Sequence, residues 1–91
     1  MDKNTFISKL KSLGSVPNIS GSNNYIVINV KDNKVFFRRE DHTNHEIINL
    51  DGLFNFYIKE SDYKTTVADK YVNRWVRSPA AAILNAIAKT N

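Results

Sequence analysis

Cysteine is absent from this chain, and disulfides, thiolate metal sites and cysteine nucleophiles are absent with it. Histidine is nearly as scarce. A serine or threonine nucleophile would have to borrow one of only two histidines as its base, and no Gly-x-Ser-x-Gly elbow occurs. Three glycines are too few to suggest a phosphate-cradling loop. No run approaches the roughly 18 apolar residues of a membrane span, and the N-terminus has no continuous apolar signal core. The expectation is a soluble, cytoplasmic protein without a membrane partner. Asn18-Ile19-Ser20 fits the glycosylation pattern, which means nothing without secretion.

With 91 residues there is room for one domain spanning 1–91, and 42% hydrophobic content with ten aromatics suits a folded chain. The formal charge of +4 is unevenly spread. Residues 1–39 hold seven Lys/Arg against two Asp, residues 40–62 hold six acids against Lys59, and 70–91 hold four bases and no acid. Two basic ends thus flank an acidic middle. If folding brings the ends together, one face becomes basic and suits a polyanion; if the acids pair with them, the charge serves only solubility.

Periodicity gives an α+β order. Phe6, Ile7, Leu10 and Leu13 fall on one face of a helix over 2–13, and Gly14 stands where a left-handed cap belongs. Residues 15–24 read as a polar surface loop. The β-branched and aromatic runs in 25–40 surround Asp32-Asn33 and predict a hairpin with a two-residue turn. Strict alternation would then bury Val30, Ile28, Ile26, Val35 and Phe37 and expose Tyr25, Lys31, Lys34, Phe36 and Arg38. Residues 45–50 are a candidate third antiparallel strand, with Ile48 and Leu50 on one side and Ile47 on the other. Two or three short helices follow. One begins with Asp51 as N-cap and carries Leu53, Phe54, Phe56 and Tyr57. Another covers 65–72, and a last one starts at Ser78-Pro79 and buries Ala80, Ile83, Leu84 and Ile87.

Three constellations carry chemistry. The run Asp41-His42-Thr43-Asn44-His45-Glu46 has metal-ligand residue types, but its histidines lie in a turn and no third exists. Solvated loop histidines are therefore expected, with no metal, no cofactor and no catalytic residue. On the hairpin, Lys31, Lys34 and Arg38 are placed for phosphates, while Tyr25 and Phe36 are placed for stacking on bases. The competing arrangement covers that face with the N-terminal helix. In Arg74-Trp75-Val76-Arg77, the two arginines beside the amides of a helix starting at Ser78-Pro79 would hold a phosphate. Alternatively, Trp75 anchors the core and the arginines pair with Glu46, Glu60 or Asp62.

Tyr71-Val72, Arg77-Ser78-Pro79-Ala80 and Ile83-Leu84 also belong to a wider pattern. An apolar helix and an extended hairpin precede Ile48-Asn49-Leu50-Asp51-x-Leu53, which leads into a helix. That order, over nearly the whole chain, resembles a small α+β module found beside nuclease or helicase domains in bacterial restriction-type proteins. The resemblance implies a defence-associated or nucleic-acid-associated accessory role and transfers no individual site residue. Together these features point to a non-catalytic nucleic-acid-binding module of a bacterial or phage system, for DNA rather than RNA. The alternative is a protein-interaction module (a subunit, dimerisation domain or phage-encoded inhibitor) using the apolar helix near 53–58 and the acidic segment 40–62.

Overall fold

The computed structural model describes residues 1–19, 21 and 23–89. Helix α1, Lys3–Leu13, forms where the apolar spacing places it. The Asp2 carboxylate accepts from the Thr5 amide at 2.8 Å and caps the first turn. Gly14, with φ 64°, ends the helix. Phe6 and Leu10 are fully buried, with Ile7 and Leu13 packed at the margin.

Among the described residues, four strands follow in an antiparallel sheet of order β1-β2-β3-β4: β1 is Ser15–Pro17, β2 Asn24–Lys31, β3 Lys34–Arg39 and β4 Glu46–Asn49. Strand β1 lies in the segment expected to be loop; Ser20 and Ser22 of that segment fall outside the described residues. It carries one buried apolar side chain, Val16, opposite Tyr25, too little alternation for a sequence signal. The β2–β3 turn is as expected: Asp32 and Asn33 both have positive φ (53° and 60°), the pattern of a two-residue turn matched to strand twist.

Beyond the turn the register departs from simple alternation. Val30 pairs with Val35 and Asn29 with Phe36, but the next pair is Val27 with Phe37. Ile28 is therefore the extra residue of a β-bulge, and the Asn29 side-chain oxygen accepts from the Val30 amide there at 2.8 Å. The consequence runs to the end of β2. Tyr25 and Val27 enter the core, while Ile28 turns outward and stays 41% exposed. A two-residue turn with strict alternation would pair Ile28 with Phe37 and Ile26 with Arg39; the bulge pairs Val27 with Phe37 and Tyr25 with Arg39 instead. The packing that selects this register is an edge-on contact of Tyr25 with Phe37 at 6.0 Å. Strand β4 buries Ile48 and exposes Ile47, as its alternation requires.

Helix α2, Leu50–Lys59, starts directly from β4. Its cap is Asn49, whose side chain accepts from the Gly52 amide at 2.8 Å; Asp51 is already in the first turn and instead pairs with Lys3. The hairpin turn supports the same helix end, since the Asn33 carbonyl accepts from Leu50 and its side chain from Asp51. Residues 65–72 contain a shorter helix than expected, α3 at Thr65–Ala68. A 3-10 turn at Arg74–Val76, capped by Asn73, runs straight into α4, Arg77–Lys89. At Ser78 the chain is therefore already helical, and Pro79 sits in the first turn, where its missing N–H is harmless.

The core lies between one face of the sheet and the helices. Val16, Tyr25, Val27, Val30, Val35, Phe37 and Ile48 meet Phe6, Leu10, Leu53, Phe56, Ile83, Leu84 and Ile87. Part of the apolar excess of α2 is absorbed there, through Leu50, Leu53 and Phe56. Phe54 and Tyr57 pack on Phe6 at 5.1 and 5.2 Å and are half-buried, while Ile58, in the stretch near 53–58 expected to meet a partner, is exposed. Among the described residues no helix is long and apolar enough to cross a membrane.

Candidate nucleic-acid interface

The strands sort charge by face. They contain a single acid, Glu46, which points to the helical side and binds the Arg39 guanidinium through both oxygens, at 2.8 and 3.3 Å. Arg39 also lies over the Tyr25 ring at 5.6 Å and reaches the Trp75 carbonyl at 3.5 Å. Its Glu46 partner holds the guanidinium pKa above its ordinary value, and burial raises that of the Tyr25 hydroxyl.

The other face of the sheet carries Lys31 and Lys34 at the hairpin end and Arg38 toward the far end, with no acid on the strands between them. Neither lysine has a carboxylate partner among the described residues. Lys31 extends its ammonium over Phe36, 5.9 Å from the ring centre. Arg38 is held in place by the carbonyls of Arg39, Glu40 and His42, all contacted by one terminal nitrogen at 3.2–3.3 Å. No hydrogen bond from its Nε or Nη2 is made to the described residues. Between the cations lie half-buried Ile26 and Phe36 and the exposed Ile28 and Ile47, the last 47% exposed. Ile28, Asn29, Lys31, Phe36 and His45 line a shallow hollow of about 250 Å³.

Of the residues expected to bind, Lys31, Lys34, Phe36 and Arg38 come together on this face. Helix α1 packs from the core side, and among the described residues nothing covers Ile28 and Ile47 on this face. Tyr25 does not join them. The bulge turns it inward to 3% exposure, which removes it as a stacking platform. Arg74 and Arg77 are elsewhere, at the 3-10 turn and the start of α4. Arg77 pairs with Asp69 at 3.0 Å and Arg74 is solvated. No free helix end stands beside them, because the 3-10 turn feeds α4, so the anion site expected at Ser78-Pro79 does not form. Trp75 is 79% exposed rather than a core anchor, and Val72 and Val76 are buried in its stead.

Sequence reasoning missed Ile28 and Ile47 as partners of Phe36. The bulge hides the first, and only the pairing of β4 with β3 places the second. The histidines, His42 and His45, are exposed, and among the described residues no group of three metal-ligating side chains forms. A larger hollow of about 470 Å³ lies between β1 and α4. Its Asn85 amide is already committed to the carbonyls of Tyr63 and Ala81, and Lys89 is its lone charged lining group. Compared with known proteins, the chain matches no family model, no curated protein and no solved structure.

Proposed function

We propose that this chain is a non-catalytic DNA-binding module that holds phosphates on the open face of its sheet. The observation that carries the reading is the sorting of strand charge: Lys31, Lys34 and Arg38 share one face, and the single strand acid is spent on Arg39 on the other. A polyanion is the partner such a face attracts, and a second copy of the same face is one it repels. The resemblance to restriction-type accessory modules supplies a setting, a bacterial or phage system in which another domain or chain does the chemistry.

Three phosphate contacts set the salt dependence. The slope of log K against log salt is then about −2 for a single strand and about −2.7 for a duplex. Fluorescence anisotropy across a salt series measures it. Replacing Lys31 and Lys34 by Gln together should bring the single-strand slope to about −0.7. No binding at low salt, or an unchanged slope in the double variant, refutes the proposal.

The exposure of Trp75 beside the solvated Arg74 favours a second reading, self-association through that turn, since exposed Trp and Arg are the residues that dominate protein interfaces. Trp75 is the chain's sole tryptophan, so its emission reports directly. A blue shift with rising protein concentration supports this reading, and a constant spectrum with a monomeric mass removes it.

A further inference from the structure

We infer that the open sheet face takes a single strand with its bases turned inward, rather than a duplex. The inference rests on the nucleic-acid reading and adds what the apolar centre of the face demands. Ile28, Phe36 and Ile47 lie across β2, β3 and β4, with Phe36 directly opposite Ile47. Lys34 and Arg38 stand two residues to either side of Phe36 on the same strand, about 7 Å away in each direction. Cations thus flank an apolar strip.

A duplex presents phosphates outermost and keeps its bases stacked within. Laid on this sheet, it would press charged phosphates on Ile28, Phe36 and Ile47, which gains nothing from their burial. A single strand can engage Lys34 and Arg38 with its backbone and turn its bases onto the strip between them.

The hollow beside Phe36 supports the same orientation. At about 250 Å³ it is shallow and open, with room for one base to enter beside the Phe36 ring. Asn29 lines it and uses its side-chain oxygen on the Val30 amide, so its NH₂ group is left to donate to a base edge. Lys31 covers the Phe36 ring through a single 5.9 Å contact, which a stacked base replaces while the ammonium moves to a phosphate.

The test compares four labelled probes at one low salt concentration: a short oligothymidylate, an abasic strand with the same number of phosphates, a blunt duplex of the same length, and an oligouridylate. The expected result is that either base-bearing single strand binds roughly tenfold or more tightly than the abasic strand and more tightly than the duplex. Base dependence in either the oligothymidylate or the oligouridylate arm supports the inference. Phe36→Leu, checked for folding by circular dichroism, should close most of the gap between thymidylate and abasic strands. Equal binding of those two strands, or a duplex that binds as tightly, overturns the inference and leaves the electrostatic reading standing. A gap that survives in Phe36→Leu overturns the assignment to this face. No binding by any probe overturns both.

Discussion

Replacing Gly52 by Ala sets a local preference against a tertiary contact. Gly52 is in the first turn of α2, and in an isolated helix alanine would be favoured there by up to about 1 kcal/mol. In the folded chain the backbone of Tyr71 crosses this position. A Cβ built on Gly52 overlaps the Tyr71 carbonyl oxygen and lies 3.3 Å from its carbonyl carbon. A flexible side chain could swing away, but this is main chain, and it is fixed on both sides. Ala68 and Val72 are buried, and the Tyr71 ring stacks on Phe56 at 5.2 Å with an interplanar angle of 4°. The Tyr71 hydroxyl also donates to Glu60 at 2.6 Å.

Overpacking of this kind costs about 1–3 kcal/mol. Overlap with fixed main chain puts the cost in the upper part of that range, about 2–3 kcal/mol. Setting the full helix gain of about 1 kcal/mol against it leaves a net loss of about 1–2 kcal/mol. For a domain of this size that lowers the melting temperature by roughly 4–16 °C. Thermal unfolding followed by far-UV circular dichroism measures it. A Gly52→Ala protein as stable as the parent, or more so, would refute the claim that Tyr71 rests on this glycine.

Arg39→Ala should cost about 1.5–3 kcal/mol in urea unfolding, because it strands the half-buried Glu46 carboxylate and removes the cation from Tyr25. Arg39→Lys recovers only part, lacking the two-pronged donor, and a loss under about 0.5 kcal/mol in the alanine variant would deny the pair any role. Acid stability follows from Asp51 and Asp2, whose carboxyls are held below the ordinary range, the first by Lys3 and the second by the Thr5 amide. A depressed folded pKa contributes stability that is complete above about pH 3.9 and is lost as pH falls through the folded value. Asp51→Asn should therefore flatten the decline of the unfolding midpoint below about pH 4, and an unchanged decline counts against the Lys3 contact. Trp75→Ala should change stability by no more than about 0.5 kcal/mol, and the parent's Trp emission should be fully open to an aqueous quencher. A large stability loss, or a shielded emission, contradicts its exposure.

Much of the fold is legible because local physics fixes it. The spacing of Phe6, Leu10 and Leu13, the glycine at 14 and the Asp32-Asn33 turn each depend on residues within a few positions, and each element forms where that logic puts it. What failed was decided by contacts between distant residues. One extra residue at Ile28 exchanges the faces of β2, and period-two alternation cannot register it. The core selects it by packing Tyr25 on Phe37, 12 positions away. The α2 cap moved from Asp51 to Asn49 because β4 runs directly into the helix and Lys3 claims the aspartate. Trp75 lies outside because the 3-10 turn points it there and the neighbouring valines fill the core.

By itself, then, the sequence determined the kinds and order of the longer elements and the supply of charge, since these follow from propensity, periodicity and composition; the short β1 exists only through its pairing with β2. The tertiary structure alone decided which face of β2 is wet before the bulge, and that Trp75 lies outside. It kept Lys31, Lys34, Phe36 and Arg38 together, withdrew Tyr25 and separated Arg74 and Arg77 from them. The physical reason is that a side chain's exposure belongs to the packing of whole elements, where a single bulge or cap outweighs any local pattern.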